Sequence, residues 1–299
     1  MTAKDNTGTK RPLIILTGPT AVGKTALSIG LAKAIQGEII SADSMQVYRG
    51  MDIGTAKITK EQMDGVPHHL IDIMDPSDSF HVMAFQQKCK EAMEDIYARH
   101  KIPILVGGTG FYIQSVLYDI SFTETDTDIE YRQELQKIAE EQGGYVLHAR
   151  LAKIDPEAAD EIHPNNVKRV IRALEFNHQT GEKISIHNEQ ERQKKSPYQF
   201  RYYVLSLPRE ILYDRINRRV DMMRRDGLVD EVKGLLQQGI TPNMVSMQGL
   251  GYKEIIDALQ GSCSFEEAFE RIKRETRHFA KRQFTWFRRE RDVTWIDKE

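Results

Sequence analysis

The stretch that decides the fold is LIILTGPTAVGKT at residues 13–25. Its four leading apolar residues predict a buried strand, and residues 26–35 after it predict a helix. Between them lies the pattern G-x-x-x-x-G-K-[ST], whose backbone N–H groups converge at a helix N-terminus and can hold a phosphate chain. Lys24 supplies a full positive charge there, and the Thr25 hydroxyl is placed to bind Mg²⁺. The predicted phosphate-binding loop consists of Gly18, Pro19, Thr20, Ala21, Val22, Gly23, Lys24 and Thr25.

The phosphate ligand is not settled by this loop alone. Loops of this type usually bind ATP or GTP, and such enzymes hold Mg²⁺ with an Asp at the end of a second strand. The predicted strand at residues 104–106 ends in glycines, whereas the predicted strand at residues 38–42 ends in Asp43. Ligands of parallel sheets bind at the carboxyl ends of the strands, so we expect Asp43 to lie near the loop. From position alone, Asp43 is a Mg²⁺ partner, a general base or a helix N-cap.

Several short phrases occur in a fixed order along the chain. They are GPTAVGKT (18–25), SADSMQVY (41–48), GMDIGTAK (50–57), VGGTG (106–110), IHPNN (162–166), Arg169 with RALE (172–175), QGLGY (248–252) and AKRQFTW (280–286). With this set, the chain resembles bacterial tRNA dimethylallyltransferases over nearly its whole length beyond the first ten residues. The resemblance implies that the loop holds the diphosphate of dimethylallyl diphosphate rather than ATP. It also implies that the acceptor is the adenosine next to the anticodon in certain tRNAs.

The resemblance assigns roles to individual residues. Asp43 becomes the base that accepts the amine proton, while Arg219, Thr25 and Mg²⁺ stabilise the departing diphosphate. Arg215 lies on the same helical face as Arg219, so its share in that role is left open. The adenosine must be flipped out of its stack to reach Asp43. The residues implied to grip the RNA are Asp43, Ser44, Met45, Gln46, Thr109, Arg132, Lys168, Arg169, Val170, Ile171, Arg172, Gln248, Gly249, Leu250, Gly251, Tyr252 and Lys253.

Composition is typical of an intracellular enzyme. The 299 residues, 40% hydrophobic and 29% charged, are enough for two domains or one large one. The two cysteines, Cys89 and Cys263, show no metal-binding spacing. No apolar run approaches membrane-spanning length, and residues 1–10 lack a signal-peptide core. We therefore expect a cytoplasmic protein without membrane partners, acting as a monomer.

Charge distribution favours a nucleic-acid partner although the net charge of −2 does not. Residues 271–291 contain nine Lys or Arg against Glu275 and Glu290, and residues 214–225 contain five Arg against two Asp. Local basic stripes of this kind suit a phosphate backbone. Charge runs also occur on ordinary solvated helix faces, so this signal is weak alone.

The order of elements predicts an α/β fold with a parallel-sheet core like that of P-loop NTPases. Strands are expected near residues 13–17, 38–42, 69–72, 102–106, 201–207 and 293–296, with helices between them. Between Asp119 and Pro197 the sequence shows helical patterns and no strand signal, which predicts an inserted all-helical domain at 119–197. The resemblance implies that this domain binds tRNA. Residues 1–118 and 198–299 then form the catalytic core, whose C-terminal part is helical.

Local signals in the core give finer expectations. Asp78 or Ser79 is predicted to cap a helix that runs to about Tyr97. Helical spacing also covers residues 221–237 and 265–289. The aromatic residues near the end of the latter are interpreted as packing residues. The pair His68-His69 lacks ligand partners at metal spacing and is interpreted as structural.

Three function classes remain. A tRNA prenyltransferase is favoured. An enzyme that prenylates free adenine nucleotides has no use for a long helical insertion or a basic C-terminal helix. A P-loop kinase or RNA-binding NTPase is the third class, and Asp43 alone does not separate it from the first.

Overall fold

The computed structural model describes residues 10–122 and 128–298, which form two compact units. Of these described residues, those up to Leu117 and from Pro197 onward form the core unit, and those between Tyr118 and Ser196 form the insertion unit. Each boundary lies one residue from the position expected from the sequence. The α/β fold with a helical insertion is confirmed.

The core unit is built on one parallel sheet of six strands. They are β1 Pro12–Thr17, β2 Gly37–Ala42, β3 His68–His69, β4 Ile102–Gly107, β5 Gln199–Ser206 and β6 Val293–Asp297, in the order β3-β2-β4-β1-β5-β6. The central strands are apolar runs because both faces of a parallel sheet are buried. Gly107 is in register with Thr17 on one side and Ala42 on the other. The carboxyl ends of β1, β4 and β2 therefore form one row.

Helices cover both units. They are α1 Lys24–Ile35, α2 Lys60–Met63, α3 Val82–Ala98, α4 Gly110–Leu117, α5 Ile129–Gln142, α6 Gly144–Ile154, α7 Pro156–Glu161, α8 Val167–Thr180, α9 Ile184–Gln193, α10 Arg209–Arg225, α11 Leu228–Gln237, α12 Tyr252–Leu259 and α13 Phe265–Phe287, with a short 3₁₀ helix at Ser246–Gln248. Helices α5 to α9 belong to the insertion unit and the others to the core unit.

A hydrophobic cluster fixes α10 and α13 beside the phosphate loop. It joins Leu16 of β1 and Val22 of the loop to Leu205, to Ile216 of α10 and to Ala280 of α13. All five side chains are buried. The packing places two helices far apart in sequence against the end of β1.

The insertion unit has a core of its own. Its centre is formed by Leu135 of α5, Leu147 and Leu151 of α6, and Val170 and Leu174 of α8. All five are at most 2% exposed. The helical spacing of these residues explains why this region shows no strand signal.

The expected strand at 69–72 is wrong beyond its first residue. Only His68 and His69 pair with β2. Leu70 and Asp72 have φ values of 62° and 54°, which extended strands do not adopt. His69 instead shares a hydrogen bond of 2.8 Å with the Glu38 carboxylate, in keeping with its structural interpretation.

Two helix predictions are also corrected. The helix expected from Asp78 or Ser79 begins at Val82, because His81 Nδ1 accepts the hydrogen bond from the Ala84 N–H. Asp78 instead closes the preceding turn by accepting from the Asp75 N–H. The helical pattern at 221–237 is divided between α10 and α11, since Gly227 has a φ of 101° and ends the continuity.

Candidate active site

The phosphate loop follows β1 and turns directly into α1. Gly18 has a φ of 143° and Gly23 a φ of 92°. A Cβ atom on Gly18 would lie 2.6 Å from the Leu205 carbonyl oxygen, so the loop passes β5 too closely for any side chain. The two glycines of the motif thus allow the backbone conformation that directs N–H groups to one point.

Lys24 lies across this loop. Its Nζ donates hydrogen bonds of 2.9 Å to the carbonyl oxygens of Gly18 and Pro19. Burial and the nearby charge of Arg219 lower the pKa of Lys24 to about 7, whereas Asp43 acts in the opposite direction. An anionic ligand would raise this pKa again, because it favours the charged ammonium.

Arg219 of α10 reaches the loop from the other side. Its Nη1 donates to Oγ1 of Thr20 at 3.2 Å. The pKa of Arg219 is lowered by burial, and the nearby Asp43 carboxylate offsets part of this effect. Two cations held near each other against their repulsion indicate an anion-binding site, which is the role expected of this loop.

Gln283 of α13 connects the phosphate loop to the end of β4. Its Oε1 accepts from the Thr20 N–H at 2.9 Å, and its Nε2 donates to the Gly108 carbonyl at 3.0 Å. Sequence reasoning did not assign this residue a role. Its place in AKRQFTW, one of the phrases that carry the resemblance, was the available signal.

Close packing explains the glycines at and just after the end of β4. A Cβ atom on Gly107 would lie 2.2 Å from the Ala42 carbonyl oxygen, and one on Gly110 would lie 2.1 Å from Trp286 Nε1. The Thr109 N–H donates to the Ala42 carbonyl at 3.3 Å. Thr109 is therefore held directly beside the residue that precedes Asp43.

Asp43 closes a turn rather than capping a helix. Its Oδ1 accepts from the Met45 N–H at 2.8 Å and from the Gln46 N–H at 3.3 Å. No helix follows, so the interpretation as a helix N-cap is wrong. Among the described residues, none hydrogen-bonds to Oδ2 of Asp43. One carboxylate oxygen is thus fixed by backbone and the other is available to a ligand.

The segment 248–251 packs against the turn that Asp43 closes. A Cβ atom on Gly249 would lie 2.6 Å from Cε of Met45. Gln248 is exposed and donates to the Pro242 carbonyl at 2.7 Å. The structure therefore brings together two of the segments that the resemblance implies for RNA binding, 43–46 and 248–251.

Tyr252 acts inside the core unit. It is fully buried, and its hydroxyl donates to Glu231 of α11 at 2.7 Å. The Glu231 carboxylate also accepts the N–H groups of Asp52, Ile53 and Gly54 at 2.7–3.0 Å. Tyr252 and Glu231 thus fix the loop 52–54, and the Tyr252 side chain has no surface to offer RNA, unlike the neighbouring exposed Lys253.

A cavity of about 670 Å³ opens beside Thr25 and Arg219. Its volume lies in the range of small-molecule sites. Much of its wall is aliphatic, contributed by Ala26, Ile29, Ile39, Ile53, Ile58, Ile71, Val106, Met222 and Met223. An apolar group attached to a phosphate at the loop would find suitable surroundings there.

The insertion unit separates its predicted RNA-binding residues into two groups. Lys168, Arg169 and Arg172 of α8 are exposed, whereas Val170 and Ile171 are at most 5% exposed and pack in the core. The side chains of Val170 and Ile171, which the resemblance implies for RNA binding, therefore have almost no surface to offer RNA. Two of the cations lie in the first turn of α8, which has no acidic residue, although cations there oppose the helix dipole.

Glu175 does not pair with Arg172, which lies three residues before it on the same helix. It is buried and accepts two hydrogen bonds, of 2.6 and 2.7 Å, from Arg132 of α5. Arg172 instead points outward. The Arg132 side chain is half-exposed, but it would have to break this bidentate pair in order to bind a ligand.

A metal ion would fit beside Thr25 together with a bound phosphate. In the ranges 10–122 and 128–298, no group of three or more His, Cys, Asp or Glu is arranged to hold one. The exposed Thr25 hydroxyl at the start of α1 is a suitable single ligand. Mg²⁺ commonly completes its coordination shell with phosphate oxygens and water, so this donor set is compatible with it.

Among the described residues, none of the helices combines the length and the apolar character needed to cross a membrane.

Comparison with known families identifies the chain's relatives. A family model described as IPP transferase matches residues 46–290, and one described as isopentenyl transferase matches residues 12–79. The chain is 60% identical to a tRNA dimethylallyltransferase of Lachnoclostridium phytofermentans, over 97% of this chain and 92% of the relative. The chain belongs to the tRNA dimethylallyltransferase family. A tRNA dimethylallyltransferase of Bacillus pumilus is 53% identical, over 97% and 90% of the two chains.

Solved structures of tRNA dimethylallyltransferases have the same fold. The full-length tRNA isopentenylpyrophosphate transferase of Bacillus halodurans is 51% identical, over 96% of this chain and 90% of its own, with a TM-score of 0.72. A eukaryotic dimethylallyltransferase, described as acting on tRNA, is 34% identical over 96% and 74% of the two chains, with a TM-score of 0.80. Membership in this family makes the chain a prenyltransferase.

Proposed function

We propose that this tRNA prenyltransferase transfers a dimethylallyl group from dimethylallyl diphosphate to the exocyclic amine of the adenosine 3′-adjacent to the anticodon. One observation carries the proposal. The phosphate loop with Lys24 and Arg219 lies at the same sheet edge as Asp43, whose Oδ2 is available to a ligand. An anion site and a base at adjacent strand ends are what transfer from a diphosphate to an amine requires.

The reaction has two chemical demands. The adenosine amine is a weak nucleophile, since its lone pair is delocalised into the ring, and the allylic carbon becomes positive as the diphosphate departs. A nitrogen–carbon bond forms while the carbon–oxygen bond breaks, and the electron pair of the broken bond leaves with the diphosphate. The amine proton passes to Oδ2 of Asp43.

The leaving diphosphate is stabilised by the residues around the loop. Loop N–H groups, the Lys24 ammonium and the Arg219 guanidinium would stabilise the negative charge that grows on a diphosphate bound at the loop, since both cations contact loop atoms. Thr25 would hold Mg²⁺ against the diphosphate, and the metal would supply further charge neutralisation. The apolar tail of the donor would occupy part of the cavity beside Thr25 and Arg219.

Candidate tRNA-binding residues are proposed in each unit separately. In the core unit, the segments 43–46 and 248–251 and the residue Thr109 are close enough in the fold to surround one flipped base. In the insertion unit, Lys168, Arg169 and Arg172 present their charges to solvent without an ion pair among the described residues. Exposed, unpaired cations of this kind suit a phosphate backbone.

Replacing Lys168, Arg169 and Arg172 together with Ala should weaken tRNA binding and flatten its salt dependence. The slope of log K against log salt should become shallower by roughly 0.7–0.9 for each RNA phosphate that the variant no longer neutralises. Because all three side chains are exposed, the variant should unfold at the wild-type temperature. Binding measured at several salt concentrations checks this, and an unchanged slope would remove α8 from the RNA-binding surface.

ATP should be neither hydrolysed nor required. Strand β4, which pairs with β1, ends in Gly107 rather than in an Asp. The other candidate carboxylate, Asp43, is assigned to the acceptor amine. An NTPase needs a positioned water and a metal geometry for the γ-phosphoryl group. In a calorimetric competition the protein should prefer dimethylallyl diphosphate to ATP. ATP turnover stimulated by tRNA, without prenyl product, would favour the NTPase alternative.

The acceptor is tested by offering a choice. The protein is incubated with labelled dimethylallyl diphosphate and with either unmodified tRNA or AMP. We expect label in tRNA and none in AMP. Label in AMP alone would identify an enzyme of free adenine nucleotides, and label in neither would contradict the proposed transfer.

A further inference from the structure

A cation outside the catalytic set proposed above lies against the phosphate loop. Lys298 directly follows β6, whose carboxyl end is at the same sheet edge as that of β1. Its backbone N–H donates to the Ser206 carbonyl at 3.0 Å, and the Ser206 hydroxyl donates to the Asp297 carboxylate. The backbone that carries Lys298 is therefore fixed to the sheet.

The Lys298 ammonium reaches the loop at Gly23. A methyl group placed on Gly23 would lie 2.9 Å from Nζ of Lys298 and 3.9 Å from Nη1 of Arg215. Gly23 immediately precedes Lys24, the lysine of the phosphate-binding motif. Two more cations thus lie close to the phosphate loop that Lys24 and Arg219 contact.

The part of the chain that the structure describes offers these two cations no neutralising partner. Within residues 10–122 and 128–298, neither the Lys298 ammonium nor the Arg215 guanidinium has a hydrogen-bond acceptor or a carboxylate partner. By contrast, the neighbouring Arg218 pairs with Asp214 at 2.9 Å. A ligand with several negative charges, bound at the loop, would provide the partners that these two cations lack.

We infer that Lys298 is a further diphosphate-binding residue, assisted by Arg215. The loop and Lys24 can hold one phosphate group, and a diphosphate extends beyond it towards cations outside the loop. The same interaction would hold the product, inorganic pyrophosphate, after transfer. The identity of the donor rests on the proposed function, whereas the diphosphate class of the ligand rests on the four cations.

The test measures pyrophosphate binding to the full chain by calorimetry. Lys298→Gln and Lys298→Met remove the charge, and Lys233→Gln is the matched control, because Lys233 is an exposed lysine on α11 that contacts Asp230 at 3.6 Å. We expect both Lys298 variants to bind pyrophosphate and dimethylallyl diphosphate roughly ten-fold more weakly or worse, the usual effect of losing a charge-assisted hydrogen bond. Their affinity for tRNA should stay within about two-fold of wild type.

The outcomes separate this inference from the proposed function. Pyrophosphate affinity equal to wild type, or a loss equal to that of Lys233→Gln, would overturn the role of Lys298. An equal loss of tRNA affinity would overturn it too, because it would assign Lys298 to the RNA surface. If the Lys298 variants bind pyrophosphate more weakly but the wild-type protein transfers no prenyl group, the inference is supported and the proposed function is contradicted.

Discussion

The Asp43→Asn variant should bind tRNA within a few-fold of wild type and turn over roughly 10²–10⁴-fold more slowly, the usual contribution of a general base. The structure makes this substitution a clean one. Oδ1 of Asp43 accepts two backbone hydrogen bonds, and the amide oxygen of Asn can accept both. Only the proton-accepting capacity is removed, so turnover should fall while the turn at 43–46 is retained.

The measurement is single-turnover transfer with both substrates saturating, together with direct tRNA binding. Asp230→Asn is a matched control, because Asp230 is an exposed aspartate on α11. It should leave turnover and binding at wild-type values. Wild-type turnover in Asp43→Asn would remove Asp43 from the proton transfer and reopen its assignment as a Mg²⁺ partner.

Arg219→Gln should reduce turnover by roughly 10²–10³-fold, the effect of removing one donor that stabilises growing negative charge. Donor affinity should fall as well, whereas tRNA affinity should change little. The physical reason is the position of Arg219, whose guanidinium contacts Thr20 of the phosphate loop. Removing it also removes one cause of the lowered pKa of Lys24, so the remaining donor binding should persist to higher pH.

Arg218→Gln provides the control on the same helix. Arg218 is exposed and pairs with Asp214, so its replacement should affect neither donor affinity nor turnover. Donor affinity and turnover are measured for both variants over a range of pH. If Arg219→Gln lowers only tRNA affinity, Arg219 belongs to the RNA-binding surface and the diphosphate role passes to its neighbour Arg215.

The sequence was sufficient for the phosphate loop because every signal for it is local. The strand, the glycines, Lys24 and the helix lie within residues 13–35. The same locality made the end of α10 predictable in principle, since Asp226-Gly227 is a common stop signal within an otherwise helical pattern. Periodicity alone continued across it, and the prediction therefore failed there.

Residues that act across long sequence distances could not be found in this way. Gln283 contacts Thr20 over 263 positions, and Arg132 pairs with Glu175 over 43. Arg172 is nearer to Glu175 in sequence, but the buried carboxylate accepts its hydrogen bonds from a different helix. Lys298 is likewise visible only once β6 is placed at the edge of the sheet.

Burial is the second reason why the site could not be predicted fully from the sequence. The segment 168–172 was assigned to RNA as a continuous run, but a helix presents only one face to a ligand. Val170 and Ile171 face the core of the insertion unit, and the cations around them face solvent. Tyr252 follows the same logic in the core unit, where it fixes the loop 52–54 through Glu231.

Asp43 and the phosphate loop are proposed to join a dimethylallyl group to one particular adenosine. The most direct test is nucleoside analysis of tRNA after incubation with the protein and labelled dimethylallyl diphosphate. We expect all label to reside on the exocyclic nitrogen of the adenosine 3′-adjacent to the anticodon, and Asp43→Asn to remove nearly all of it. Label on another nucleoside, or undiminished label with Asp43→Asn, would contradict this mechanism.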